Sequence, residues 1–150
     1  MYKNLQSKID KTLNKYTMII TEISQIDSIA EEILTSNKNI ITVDMYDYLS
    51  AKNNSSSLCV VKVEIPDIST ENLVEFRKEL EEVCNKNVTH LILVVCDNDM
   101  GHNDNPLTPD KMRLILRPTD EKLDDPKVVW GVCGNTRGKG FTLLVILGYR

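Results

Sequence analysis

The sequence contains little of what common metal and catalytic centres are built from. It has only two histidines, His90 and His102, and its four cysteines never occur as a Cys-x-x-Cys pair. These shortages count against a zinc centre, whose ligands are closely spaced, and against a histidine-based catalytic triad. Each cysteine lies in an apolar stretch, so we expect buried thiols in a reducing, cytoplasmic environment.

The chain also lacks an excess of positive charge and any long hydrophobic run. Its 18 basic and 22 acidic residues give a net charge of −4, whereas nonspecific nucleic-acid binding needs a basic surface. No apolar run reaches the about 18–20 residues of a membrane-spanning helix, and the polar amino terminus has no apolar stretch of the signal-peptide kind. We expect residues 1–150 to form a single domain without nucleic-acid or membrane partners.

Glycine and proline are absent from the first 36 residues, and these are the residues that most often interrupt a helix. Apolar residues recur there every three or four positions, which is the period of an amphipathic helix. The pattern predicts one long helix, or two helices in series, over residues 1–36. Such an apolar stripe also suits a coiled-coil seam, through which the chain would oligomerise as a non-enzymatic adaptor.

From residue 39 onward, strand and helix patterns alternate. Apolar segments predict strands at 58–66, 88–97, 127–134 and 141–149, and helical periods predict helices at 70–86 and 109–116. The predicted fold class is α/β (α+β): a long N-terminal helix, then a four-stranded mixed sheet in the order β-α-β-α-β-β, with helices packed on it. We expect the sheet to be mostly parallel and its last two strands to form an antiparallel hairpin through the loop NTRGKG.

Two loops contain side chains that could hold a ligand. In the segment CDNDMGHNDNP (96–106), the residues Asp97, Asp99, His102 and Asp104 suit a metal-dependent hydrolase. The segment lacks the full ligand series of a calcium loop, so a solvated acidic loop is the favoured interpretation. The loop GNTRGKG (134–140) combines glycines with two cations and suits an anion, but a plain hairpin turn is favoured because no phosphate-loop motif is present.

The stretch VDMYDYLSAK (43–52) carries two carboxylates, Asp44 and Asp47, three residues apart. On a strand this odd separation would place them on opposite faces, whereas on a helix it would place them on one face. The helix expected before this stretch and the β-α-β-α-β-β order after it favour a loop that turns into a short helix. The two carboxylates would then point at one target.

The run NIITVDMYDYLS resembles the loop that follows the central helix in the tubulin/FtsZ superfamily, which in FtsZ has the form LINVDFADV. Ile41, Val43, Asp44, Met45 and Asp47 stand where that motif has its Ile, Val, first Asp, Phe and second Asp. The element order after the loop is that of the family's C-terminal domain. The segments VVWGVCG and FTLLVILGY also resemble the family's closing IIFG and VTVIATGF strands.

The resemblance extends from residue 24 to residue 150, with 39–150 as the domain similar to the FtsZ C-terminal domain. The motif's Asn is Thr42 here, and the family's GGGTGS phosphate loop occurs nowhere in the sequence. The chain is therefore similar to the C-terminal (activation) domain of the superfamily without its GTP-binding domain. We expect that the chain alone binds no cofactor and is not an enzyme.

In this superfamily, filaments form head to tail, and the acidic loop of one subunit enters the nucleotide pocket of the next. The resemblance implies that Asp44 and Asp47 dock on a GTPase subunit, or on another copy of the chain, and help to orient the water that attacks GTP held by that partner. Such docking would modulate hydrolysis or polymerisation. The chain would act on a partner in this way, or be one domain of a longer polymerising GTPase.

Overall fold

The computed structural model describes residues 16–36, 38–100, 109–116 and 121–150. The elements in chain order are β1 Tyr16–Ile20, α1 Ile23–Ser36, β2 Lys38–Ile41, α2 Met45–Asn53, β3 Ser57–Ile65, α3 Thr70–Val83, β4 Val88–Asp97, α4 Pro109–Leu116, β5 Lys127–Gly134 and β6 Phe141–Tyr149. Strands and helices are mixed along the chain, which confirms the predicted α/β fold class. Within these ranges, no helix combines the length and the apolar character needed to cross a membrane.

The six strands of the described ranges form one sheet, in the order β1-β3-β6-β4-β5-β2. Only β4 and β5 are parallel neighbours, and the other neighbouring pairs are antiparallel. β6 lies in the interior of the sheet, and its residues 141–147 are all buried. A strand that is apolar throughout needs cover on both faces, and an interior position provides it.

The sheet is mixed, as predicted, but the expectation that it is mostly parallel is wrong, since four of the five neighbouring strand pairs in the described sheet are antiparallel. The described sheet has six strands instead of four, because β1 and β2 add one edge strand on each side. The expected hairpin between the last two strands is wrong, since β6 pairs with β3 and β4 instead of β5. Inserting β6 between these two strands covers its apolar side chains better than an edge position beside the half-exposed β5 would.

The predicted long N-terminal helix is also corrected within the described ranges. Residues 1–15 lie outside them, residues 16–20 form β1, and α1 begins only at Ile23. The β1 segment contains Thr17, Ile19 and Ile20, whose branched side chains lose rotamer freedom in a helix but fit a pleated sheet. Backbone pairing along the length of β1 with β3 then favours the strand over the helical alternative.

Helices cover both faces of the sheet and divide the core into two layers. On one face, α3 and α4 bury Phe76 and Ile115 against the strands. On the other, α1 and α2 bury Ile26 and Tyr48. Alternate residues of β6 face the two layers, as strand geometry requires. The apolar stripe of α1 is therefore used inside the fold, which leaves less of it for a coiled-coil seam.

A polar contact joins α1 to α2 at the margin of the second layer. The Tyr48 hydroxyl donates a hydrogen bond to Asp27, and Lys52 Nζ lies 3.0 Å from both oxygens of the same carboxylate. The Tyr48 hydrogen bond, followed by the one from Lys52, lowers the pKa of Asp27 below its ordinary value. Burial, and then Asp27 itself, raises the pKa of Tyr48, so this hydroxyl stays a donor.

This contact predicts a pH-dependent contribution to stability. Because the pKa of Asp27 is lowered on folding, the contribution is present above the unfolded-state pKa of about 3.9 and is lost as the pH falls through the folded-state pKa. Asp27→Asn should therefore lower the thermal midpoint at neutral pH by a few degrees, and this difference should vanish near about pH 2. Asp110→Asn is the control, since the Asp110–Arg113 pair is 76–89% exposed. A difference of equal size at both pH values would contradict this account.

A second prediction concerns the close approach of β2 and β5. A Cβ atom at Gly131 would lie 2.6 Å from Val43 Cγ2 and 2.7 Å from the Ile41 carbonyl oxygen. Gly131→Ala should destabilise the protein by about 1–3 kcal/mol through overpacking, and the measurement is a lowered midpoint of urea unfolding. Gly138→Ala is the matched control, because its Cβ would meet only Asn98 Cβ, at 3.9 Å. Equal midpoints for the two variants would show that this close contact is not a constraint.

Candidate functional site

Residues 44–47, called the acidic turn below, begin helix α2. Asp44 is the N-cap in extended conformation, and its Oδ1 accepts a hydrogen bond from the Asp47 amide at 3.1 Å. Asp47 Oδ2 in turn accepts from the Asp44 amide at 3.0 Å. The two carboxylates thus form a reciprocal capping box that satisfies two backbone donors. The loop that turns into a short helix, predicted from the sequence, is present, and it brings Asp44 and Asp47 together.

The acidic turn has polar and aromatic groups that the capping box does not use. Each carboxylate uses one oxygen in the box, and its second oxygen makes no hydrogen bond to any residue in the described ranges. Tyr46 is 78% exposed between the two aspartates, and Leu49 is 44% exposed one turn further along α2. Carboxylate oxygens accept hydrogen bonds from water or from donors of a partner, and exposed tyrosines are common at protein interfaces.

The position of the turn is set by buried neighbours on either side. Val43 precedes it and is 2% exposed, packed beside Gly131 of β5. Tyr48 follows it and is 1% exposed. Asp47 also borders a small cleft of about 30 Å³, together with His90 and Lys127 at the amino-terminal ends of β4 and β5. His90 itself is half-buried and its Nδ1 lies 2.9 Å from Thr89 Oγ1.

The acidic loop after β4 is only partly within the described ranges. Asp97 and Asp99 are half-buried, and Asp97 Oδ1 accepts a hydrogen bond from the Asp99 amide at 3.0 Å. His102 and Asp104, the other candidate metal ligands, lie outside these ranges. Among the residues that the structure describes, no three His, Cys, Asp or Glu side chains are grouped as a metal site would require. The metal centre thus stays a prediction.

A cavity of about 470 Å³ opens at the carboxyl ends of β4 and β5, at the opposite end of these strands from the acidic turn. Asn98 and Asn135 follow the two strands, and Asn135 Nδ2 donates to Asn98 Oδ1 at 3.1 Å. The glycine-rich segment 135–140 forms one wall of the cavity, and it is not the predicted hairpin turn because β5 and β6 are not paired. The charged and thiol side chains that line the cavity are Lys62, Cys96, Arg137, Lys139, Glu32 and Glu64.

Sequence reasoning missed this cavity for a topological reason. Lys62 belongs to β3, and it lies near Arg137 and Lys139 because their loop leads directly into β6, which pairs with β3. One signal was available, since the parallel strands β4 and β5 are followed closely by asparagines at positions 98 and 135. Carboxyl ends of neighbouring parallel strands lie side by side, which is where open α/β sheets commonly bind ligands.

The comparisons with known proteins identify similar folds. No protein-family model matches the sequence, and neither does any curated protein. A point mutant of FtsZ from M. jannaschii is similar with a TM-score of 0.53 and 14% identity, over 87% of this chain and 42% of that one. A GTPγS-form protofilament structure of TubZ from Bacillus thuringiensis serovar israelensis is similar with a TM-score of 0.58 and 12% identity, over 83% and 34%.

A GDP-form structure of the same TubZ protofilament is also similar, with a TM-score of 0.56 over 83% of this chain. The chain spans less than half the length of each of these proteins. The matches nevertheless cover most of this chain, in agreement with the resemblance that was based on the acidic turn and the order of elements. The chain has the fold of a partial tubulin/FtsZ-like domain.

Proposed function

We propose that this chain docks on a tubulin/FtsZ-like GTPase subunit through the acidic turn and thereby modulates that subunit's polymerisation or GTP hydrolysis. The observation that carries the proposal is the capping box, which holds Asp44 and Asp47 at one helix end and uses only one oxygen of each carboxylate. The likeness to FtsZ and TubZ folds, the second of them in protofilament form, supports the choice of partner.

The geometry suits docking because the turn is ordered before a partner arrives. Two hydrogen bonds within the box, and the burial of Val43 and Tyr48 on either side, fix the two carboxylates relative to the sheet. A preorganised surface loses little conformational entropy on binding, so more of the contact energy remains as affinity. Tyr46 would add an exposed aromatic contact between the two acidic groups.

The same carboxylates suit a contribution to phosphoryl transfer in the partner's nucleotide pocket. A carboxylate oxygen can accept a hydrogen bond from water and orient it in line with a γ-phosphate, and such positioning is a large part of catalysis in this reaction class. GTP and its phosphate contacts would be supplied by the partner, because the sequence contains no GGGTGS loop. In this proposal Asp44 and Asp47 act in trans, and the chain holds no cofactor itself.

The proposal predicts that the chain limits filament growth. A GTPase subunit that has bound the acidic turn would carry this chain at the end of its filament. Because the chain has no GGGTGS loop, the next subunit would find no nucleotide pocket there. Added to TubZ or FtsZ with GTP, the 150-residue chain should co-sediment with the polymer and reduce the amount that sediments. Phosphate release should change in parallel, because hydrolysis in this fold family depends on contacts between subunits.

The informative variant neutralises both carboxylates and keeps the helix cap. Asp44→Asn with Asp47→Asn retains side-chain oxygens that accept from the same backbone amides, since Asn caps helices as well as Asp does. Losing two charge-assisted contacts should raise the dissociation constant measured by co-sedimentation by about tenfold or more. The matched control is Glu79→Gln with Glu82→Gln, which removes two charges at the same spacing on α3, on the other face of the sheet. Equal binding by the two double variants, or no binding by the wild-type chain, would contradict the proposal.

A further inference from the structure

Two cysteines lie directly opposite each other on the parallel strands β4 and β5, and one of them, Cys96, lines the cavity described above. Cys96 of β4 is in register with Cys133 of the parallel strand β5. Both are 2% exposed and belong to the core layer beneath α1 and α2. Neighbouring strands are about 4.7–4.9 Å apart, and the Cα atoms of disulfide-bonded cysteines are about 4.4–6.8 Å apart. The pair can therefore be joined without separating the strands.

The surroundings of Cys96 favour its thiolate form. The Cys133 thiol hydrogen-bonds to the Cys96 sulfur, Asn135 Nδ2 donates to it at 3.4 Å, and the Arg137 charge lies nearby. Together they lower the pKa of Cys96 against the opposing effects of burial and Asp97. The remaining two cysteines behave differently, because burial raises the pKa of Cys59 and raises that of Cys84 to about 12.

The cavity brings a small reagent next to Cys96. Cys96 lines it, and three cationic side chains, Lys62, Arg137 and Lys139, line it as well. The carboxylates of Glu32 and Glu64 offset part of this charge. The cavity volume of about 470 Å³ is in the range of small-molecule sites. Reactive cysteines typically lie in electropositive and partly exposed surroundings, and the cavity is where the otherwise buried Cys96 would meet a reagent.

We propose that Cys96 is the nucleophile of a thiol–disulfide exchange site, with Cys133 as its resolving thiol and a small anionic disulfide as its oxidant. The Cys96 thiolate attacks one sulfur of the disulfide RSSR, forming a mixed disulfide and releasing RS⁻. The Cys133 thiol then loses its proton and attacks Cys96 Sγ, which releases the second RS⁻, and the two protons lost by Cys96 and Cys133 neutralise the two released thiolates. In total, two protein thiols are oxidised to one disulfide while RSSR is reduced to two RSH. This inference is independent of the docking function.

The site has a structural consequence for both strands. A disulfide here would tie β4 to β5 one residue before each strand ends, next to Asn98 and Asn135. Thiol–disulfide exchange runs in both directions, so an excess of reduced thiol would cleave this disulfide again. The expected behaviour is therefore a reversible change at the cavity wall in response to the thiol pool.

The test uses the reduced 150-residue chain and oxidised glutathione, an anionic disulfide. Each cysteine is followed by timed alkylation and peptide mass spectrometry. Cys96 should react at least about tenfold faster than Cys59 and Cys84, the internal controls, and Cys96 and Cys133 should disappear together as one intramolecular disulfide. Cys133→Ser should stop at a glutathionyl adduct on Cys96, and Cys96→Ser should leave position 133 reduced.

A second experiment distinguishes the effect of the cavity's positive charge from that of simple thiol exposure. Lys62→Gln with Lys139→Gln should slow the reaction with oxidised glutathione several-fold and leave that with neutral hydroxyethyl disulfide unchanged. Wild-type rates alone decide the central point, so the test does not rely on folding of the cysteine variants. The proposal is overturned if Cys59 or Cys84 reacts as fast as Cys96, if the mixed disulfide on wild-type Cys96 is not resolved, or if the lysine variant slows both disulfides equally.

Discussion

The close approach of residues 41–43 to Gly131 is the constraint on which the acidic turn depends. In the described sheet β2 pairs only with the end of β5, and its register shifts between Asn39 and Ile41. The chain then leaves the sheet and seats Val43 where Gly131 has no side chain. Because helix α2 starts immediately afterwards, any displacement of Val43 would move Asp44 and Asp47 with it. A glycine in the interior of a strand, costly in isolation, is explained here by this backbone contact.

Helix α2 is held by few but specific contacts. Of its residues only Tyr48 and Ala51 are buried, so a broad apolar face does not anchor it. The capping box fixes its first turn, and the contact of Tyr48 and Lys52 with Asp27 fixes it to α1. A short, mostly polar helix stabilised at these two places exposes its remaining surface, including Tyr46 and Leu49, to other molecules.

Local patterns could be predicted from the sequence better than long-range pairing. The predicted bounds of β4, β5, β6 and α4 agree with the structure, because apolar runs and the Pro109-Asp110 helix start are local signals. The helix start at the paired carboxylates was likewise predicted, from the elements expected before and after the stretch. The insertion of β6, the strand β1 and the register that opposes Cys96 to Cys133 depend on contacts between distant segments, and no local pattern encodes them.

The two candidate sites lie at opposite ends of the parallel pair β4–β5, with the acidic turn beside His90 and Lys127 and the cavity beyond Cys96 and Gly134. The central claim is that the acidic turn is the docking surface, and amide hydrogen exchange tests it most directly. With TubZ or FtsZ polymerising in the presence of GTP, amides of residues 44–50 should gain protection while those of α3 stay unchanged. Protection confined to α3, or to any surface that leaves the acidic turn exchanging as in the chain alone, would contradict the account.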